Sequence, residues 1–334
     1  MQDLQSRFRE DLESVARELG DDHPFQEYGW LRNGGRHGGG SRFVRTRCPV
    51  FDRAAINVSH VHYDDDPSRP LRSSSALSTI IHPRPPLAPS MHVHISWTER
   101  KDGTGYWRMM ADLNPSHPID ADTERFRETL RAIAPDQIEA ALEQGERYFW
   151  IPALQRHRGV VHFYLEGYRT EDPAADDVLA RSFGERITDA YVEILRDRLA
   201  PPPPTDEQCA VQLAYHTVYF FQVLTLDRGT TSGLLVHDQN DLGIMGSLPS
   251  FVDRSLLWRW AEEVPEVQRP LVQALADALP DSSDNRCAVD DNARIRLASA
   301  VRDFYRANPA ALELQARGDV LPPTISNHGR ARDA

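Results

Sequence analysis

Apolar residues spaced three and four apart predict helices in several parts of the chain. The first pattern lies near the amino-terminal end, and its apolar positions are Leu4, Phe8, Leu12, Val15 and Leu19. A second pattern covers residues 126–134 and stops before Pro135, which cannot continue a helix. A third covers residues 178–195, and the chain after residue 251 shows further helical patterns.

Runs rich in β-branched and aromatic residues, bounded by Pro, Gly or Asp, predict strands. They cover residues 54–62, 77–81, 91–98, 105–113, 159–166 and 217–226. Adjacent strands with short turns, followed by long helices, are typical of an α+β fold rather than of repeated βαβ units. The four prolines at residues 201–204 form a stiff connector, which is compatible with a domain boundary. Because a strand is expected directly after them, we interpret them as a loop that returns to the same sheet.

The 334 residues are enough for one large domain or two modest ones, and we interpret residues 1–317 as a single catalytic domain. Its carboxyl-terminal part, residues 251–317, is expected to be helical, and residues 318–334 to be a disordered tail.

The net charge of −12 argues against general nucleic-acid binding, which requires a basic surface. No apolar run reaches 18 residues, so membrane insertion is not expected. The three widely spaced cysteines form no disulfide framework, which is typical of a cytoplasmic protein with reduced thiols.

Histidines are the residues most indicative of chemistry in this sequence. In an extended strand, residues two apart face the same side, so His60 and His62 form one same-face pair. His92 and His94 form another, which shares its face with Ser96. If the two pairs lie on neighbouring strands, they line one pocket. Such a pocket suits acid/base catalysis or a metal, and hydrogen bonding in a polar cleft is the structural alternative.

Several segments together resemble oxygen-dependent coproporphyrinogen III oxidases. The segments are SHVH, IIHPRPPLAPSMHVH, YWRMMADLNP, LDRGTTSGL and MGSLPS, and the similarity extends from about residue 30 to about residue 260. The resemblance implies a large antiparallel sheet flanked by helices on both faces, and it implies that the chain assembles as a homodimer. It also implies dioxygen as co-substrate, no organic cofactor, and oxidative decarboxylation of porphyrinogen propionates to vinyl groups in porphyrin biosynthesis.

The resemblance carries over residue by residue. His92 matches the family's proton donor, Ser78 matches a serine that contacts the substrate, and His82 matches the histidine of the conserved HP pair. Further matches are Arg42 and Arg45 after the glycine-rich stretch, and Asp112 in a D-L-T-P segment where Asn114 replaces Thr.

The departures from the family pattern indicate a changed substrate. His94 and Ser96 stand where the family has Asn and Arg, and residues 108–110, Arg-Met-Met, replace a glycine run. Glu166 and Gly167 replace paired aspartates. Two further histidines that the family offers as metal ligands fall at Arg127 and Ala153. Fewer carboxylate anchors and more side-chain bulk favour a substrate smaller than coproporphyrinogen III.

These observations lead to one assignment with named alternatives. We predict His92 and Glu166 as catalytic residues. The predicted substrate-binding residues are Ser78, His94, Ser96, Arg108, Asp112, Arg42 and Arg45. A divalent Cu, Fe or Mn ion is an additional hypothesis, with candidate ligands His60, His62, His82, His92 and His94. The alternatives are an authentic coproporphyrinogen III oxidase of haem biosynthesis, a metal-dependent oxygenase, and a non-enzymatic tetrapyrrole-binding protein.

Overall fold

The computed structural model describes residues 1–199, 203–237 and 240–316. These residues form two compact units. The first comprises residues 1–146, 159–199 and 203–204, and the second comprises residues 147–158, 205–237 and 240–316. A single catalytic domain over residues 1–317 stays a prediction. The expected tail at residues 318–334 lies outside the described residues.

A seven-stranded antiparallel sheet is the framework of the first unit. Its strands are β1 (Gln26–Leu31), β2 (Gly38–Thr46), β3 (Phe51–His62), β4 (Leu71–Pro83), β5 (Ser90–Arg100), β6 (Gly105–Asn114) and β7 (Val161–Tyr168). Each strand pairs with the next along the chain, so the sheet is a continuous meander. The prediction of an α+β fold with a large antiparallel sheet is confirmed.

One face of this sheet is covered by amphipathic helices. The helices of the first unit are α1 (Gln2–Glu18), α2 (Asp120–Ile133), α3 (Ile138–Phe149, up to residue 146) and α4 (Pro173–Leu199). Phe8 of α1, Phe126 of α2 and Phe183 of α4 belong to one buried cluster with Val93 and Ile95 of β5. Burial of these rings removes apolar surface from water, which fixes this face of the sheet as the core.

The second unit is mainly helical. Its helices are α5 (Asp206–Thr225), α6 (Arg228–Val236), α7 (Asp241–Ile244), α8 (Arg254–Trp260), α9 (Arg269–Asp277) and α10 (Asp291–Ala307). The second unit also contains two short antiparallel strand pairs. They are Trp150–Ile151 with Arg156–His157 and Phe251–Asp253 with Arg286–Ala288. Among the described residues, no helix is both long and apolar enough to span a membrane.

The predicted strand at residues 217–226 is wrong, because these residues form the second half of α5. The helix begins with a capping box in which Thr205 and Gln208 satisfy each other's backbone N–H groups. The second half of α5 is buried on all sides, so its continuous apolar run shows no helical period. Residues 201–202 lie outside the described residues, but residues 203–204 lead into α5 and not into a strand, so the expected return to the same sheet is wrong. The boundary between the two units falls directly after residue 204. The glycine-rich start of β2 likewise concealed a strand.

Helix α3 contacts β7 backbone to backbone at Gly145. A Cβ atom at this position would lie 2.2 Å from the carbonyl oxygen of His162 and 2.5 Å from its carbonyl carbon. Neither atom belongs to a flexible side chain, so a larger residue would have to move the helix or the strand.

We therefore expect Gly145→Ala to lower the free energy of unfolding by about 2 kcal/mol or more, although alanine is the better helix former. Urea unfolding followed by circular dichroism measures this change. The control is Glu139→Ala, an exposed position of the same helix, where we expect a change below about 0.5 kcal/mol. A more stable Gly145→Ala variant would contradict the packing of α3 on β7.

Candidate active site

The strand register divides the histidines between two faces of the sheet. Residues paired across antiparallel strands point to the same side, and neighbours along a strand point to opposite sides. The core face carries Val93 and Ile95, and the other face, named the polar face here, carries His92 and His94. The predicted alternation along β5 is therefore confirmed.

Two rows of paired residues cross the polar face. In the first row, Asn57, Ser78, His94, Met110 and Tyr164 follow one another from β3 to β7. The register thus places two predicted substrate-binding residues, Ser78 and His94, on adjacent strands. Both are half-buried, and their contact with a substrate stays a prediction.

The second row contains a His–Asp dyad. His92 Nδ1 lies 2.7 Å from Asp112 Oδ1, directly across from it in the β5–β6 register. Because a carboxylate only accepts, Nδ1 is the protonated nitrogen of His92 and Nε2 is left for other chemistry. The side chain of Asp112 is completely buried, whereas that of His92 is 17% exposed.

Asn114 holds the other oxygen of this dyad. Its Nδ2 donates to Asp112 Oδ2 at 2.5 Å and to the Asp112 carbonyl oxygen at 3.1 Å. A buried carboxylate is costly unless its oxygens accept hydrogen bonds, and here each oxygen has a donor. Substrate binding by Asp112 stays a prediction; in the structure this buried carboxylate accepts hydrogen bonds from His92 and Asn114.

His94 is a neutral imidazole beside the dyad. Its Nε2 lies 3.1 Å from Ser96 Oγ, two residues along the same strand. Burial, the guanidinium of Arg108 and the nearby His92 lower the pKa of His94 to about 3, from an ordinary value of 6.5. A neutral His94 supplies no positive charge for a carboxylate group of a substrate.

Arg108 and Glu166 form an ion pair on the polar face. Arg108 Nη2 lies 3.3 Å from Glu166 Oε1, and the Glu166 side chain is completely buried. The predicted catalytic carboxylate therefore accepts from Arg108, while Asp112 is the carboxylate bonded to His92. Of the two methionines that replace the glycine run, Met110 lies on the polar face and Met109 in the hydrophobic core.

Two further buried histidines lie on the polar face at its ends. His82 Nδ1 is 2.9 Å from Ser90 Oγ. His162 Nδ1 is 2.9 Å from Glu146 Oε1, and its Nε2 accepts from the backbone N–H of Gly159 at 3.1 Å. These contacts fix the orientation of both rings. His162 is thereby held in the tautomer that carries its proton on Nδ1.

The structure does not bring the five candidate metal ligands together. His60 and His62 are a same-face pair with ring centres 5.8 Å apart, but they lie on the core side of β3. Strand β4 also separates β3 from β5, so the expectation of neighbouring strands is wrong. In the part of the chain that the structure describes, no three His, Cys, Asp or Glu side chains are grouped as metal ligands. The proposed set His60, His62, His82, His92 and His94 is therefore not one site.

The two arginines of β2 lie on opposite faces of the sheet. Arg42 pairs with Asn57 on the polar face, and its guanidinium lies 5.4 Å from the centre of the Tyr28 ring. Arg45 points to the core side, where it forms a buried ion pair with Asp21. Substrate binding by Arg45 stays a prediction that its position does not support, because an odd spacing along a strand places Arg42 and Arg45 on opposite faces.

Sequence reasoning did not assign roles to Asn114, Ser90 and Glu146. One signal was available for Asn114, since a residue two positions from Asp112 on a strand must share its face. Glu146 lies on a helix that the apolar pattern did not reveal, and Ser90 contacts His82 across a turn. Both contacts depend on how neighbouring elements pack against each other, which a single sequence does not contain.

Comparison with known proteins identifies the family. The model of the family described as coproporphyrinogen III oxidase matches residues 1–277. An oxygen-dependent coproporphyrinogen-III oxidase of Rickettsia akari (strain Hartford) is 27% identical over 240 residues, which cover 67% of this chain and 83% of that protein. A protein of the same name from Rickettsia bellii (strain OSU 85-389) is 28% identical over 240 residues, with the same coverage. The predicted family resemblance is confirmed.

The lowered pKa of His94 predicts a loss of stability in acid. Below pH 6.5 the unfolded chain takes up a proton at His94 that the folded protein does not bind until about pH 3. Stability therefore falls as pH decreases through this window, by at most about 1.4 kcal/mol per pH unit. We expect His94→Asn to reduce the slope of unfolding free energy against pH between about pH 7 and pH 5.

Urea unfolding at a series of pH values measures the slope. Ser96→Ala is the matched control, since it removes the hydroxyl partner but keeps the titrating ring, and should retain the wild-type slope. Equal slopes for the wild type and His94→Asn would show that His94 is not held neutral.

Proposed function

The chain belongs to the coproporphyrinogen III oxidase family, and we propose that it is a dioxygen-dependent oxidative decarboxylase whose substrate is smaller than coproporphyrinogen III. The observation that carries the smaller substrate is the Arg108–Glu166 ion pair on the face that bears His92. As the sequence predicted, the chain is a coproporphyrinogen oxidase-like oxidoreductase.

His92 is the proposed acid/base residue. Its Nδ1–H is held by the buried Asp112, so the imidazolium formed when Nε2 takes a proton is stabilised by a neighbouring negative charge. Asn114 holds the second carboxylate oxygen, which keeps the dyad from rotating. His92 is therefore proposed to take or return one proton at Nε2 during turnover, and Asp112 to position it.

The proposed reaction is the one that the family resemblance implies. When a propionate side chain becomes a vinyl group, it loses carbon dioxide, one proton and two electrons. Dioxygen accepts the two electrons and, with two protons, becomes hydrogen peroxide. The residues on the polar face supply proton transfer and orientation for this chemistry, and an organic cofactor is not part of the proposal.

The size of the substrate is inferred from side chains that fill the polar face. Arg108 and Met110 stand where the resemblance places glycines, and both point to the side of His92. Arg108 already pairs with Glu166, so a substrate carboxylate would have to compete for its guanidinium. Neutral His94 and Ser96 replace an amide and a guanidinium. A tetracarboxylate macrocycle would therefore have few anchors and little room here.

A second candidate function is the ancestral reaction on coproporphyrinogen III. It is favoured by the match over residues 1–277 and by the His92–Asp112 dyad, which retains the family's proton donor. For both candidate functions we also propose that the chain assembles as a homodimer and is located in the cytoplasm.

The first test of the proposed function concerns His92. We expect His92→Asn to reduce dioxygen uptake at least roughly 100-fold, because the substitution removes proton transfer at Nε2. The assay is an oxygen electrode with pyrroles that carry propionate side chains, from monopyrroles to tetrapyrroles. His60→Asn, an exposed histidine on the core side of the sheet, is the control and should keep wild-type turnover. Turnover at the wild-type rate in His92→Asn would overturn the assignment.

The second test concerns substrate size. We expect little or no conversion of coproporphyrinogen III under air, since Arg108 and Met110 fill the polar face. The Rickettsia akari oxidase, assayed in parallel by porphyrin fluorescence after oxidation of the products, is the positive control. Protoporphyrinogen formation at a comparable rate would reject the smaller substrate and establish the second candidate function.

A further inference from the structure

A cavity of about 490 Å³ lies on the core side of the sheet, away from the His92–Asp112 dyad. Its lining comes from α1, α4 and strands β4 to β6, all within the first unit. This volume is in the range of small-molecule sites. The proposed function uses none of the residues that line it.

Two tryptophans form the aromatic part of the lining. Trp97 and Trp107 lie opposite each other in the β5–β6 register, with ring centres 5.3 Å apart and planes at 51°. Trp107 Nε1 donates to Asp177 Oδ1 at 3.2 Å, which fixes its ring. Trp97 packs over Gly105, where a Cβ would lie 2.2 Å from Trp97 Cζ2. Each indole therefore has a hydrogen-bond or packing partner within the first unit.

The rest of the lining combines apolar and charged residues. Leu4, Ile95 and Ala180 supply the apolar wall. The charged groups are the carboxylates of Asp3, Asp177 and Glu185, the guanidinium of Arg181 and the amino-terminal ammonium of Met1. Carboxylates thus outnumber cationic groups three to two beside a pair of indoles.

We propose that this cavity binds a flat organic cation, such as an aromatic ammonium compound. The face of an indole attracts cations through its quadrupole, and tryptophan is the strongest of the aromatic side chains in this respect. The apolar wall accepts the ring system of the ligand, and the acidic side chains complement its charge. The site is independent of the proposed function, because it lies on the opposite side of the sheet from His92.

The experiment compares one ring system in two charge states. The probes are N-methylacridinium, a permanent cation, and acridine, which is neutral at mildly alkaline pH. Titration of the full chain followed by ligand fluorescence and calorimetry gives both affinities. We expect saturable binding of one N-methylacridinium per chain, roughly tenfold tighter than acridine.

The variants separate charge from ring contact. The double variant Asp177→Asn with Glu185→Gln should weaken N-methylacridinium binding about fivefold or more and leave acridine binding unchanged. Glu193→Gln, an exposed acidic position of the same helix, is the matched control and should bind as the wild type does. Trp107→Phe keeps an aromatic ring and should weaken the binding of the cation more than that of acridine.

Three outcomes would overturn the proposal. They are the absence of saturable N-methylacridinium binding, equal affinities for the two probes, and an unchanged cation affinity in the double variant. His92→Asn should bind the cation as the wild type does. A loss of binding in His92→Asn would place the ligand on the polar face and would also reject the site.

Discussion

The pairing of β5 with β6 is the interaction on which the site depends. Val93 and Ile95 are buried in the core, so the residues between them must point the other way. That alternation places His92 opposite Asp112 and His94 opposite Met110. A shift of one residue would bury two imidazoles among apolar side chains and expose the core residues, which makes the register strongly favourable. The dyad is thus positioned by hydrophobic burial on the other side of the sheet.

The polar face holds two buried carboxylates with different surroundings. Asp112 and His92 are joined at a short distance, and Asn114 satisfies the remaining carboxylate oxygen. Glu166 and Arg108 are farther apart, at 3.3 Å. Removing the hydrogen-bond or ionic partner of a buried carboxylate leaves its charge uncompensated, which costs far more than the pair contributes. Both pairs therefore fix the shape of this face as well as its charge.

The elements that alternate or repeat clearly could be predicted from the sequence. Five of the predicted strands match strands of the sheet, and the first three helical patterns match α1, α2 and α4. The strand predicted in α5 failed because complete burial removes the periodicity that distinguishes a helix. The predictions that His60 and His62 share a face, and that His92 and His94 share a face, were correct because the alternation of side chains along a strand is a local property. Their expected meeting was wrong, because strand adjacency and register are set by contacts between distant segments.

The meander order of the sheet has a consequence for how the molecule forms. Strands β1 to β6 pair with their chain neighbours across short connections, so their closure costs little chain entropy. β7 is different, since α2 and α3 intervene between it and β6. During synthesis the first six strands can pair before β7 has emerged from the ribosome. Glu166 and His162 both lie on β7, so the polar face acquires a buried carboxylate and a buried imidazole only when this late strand joins the sheet.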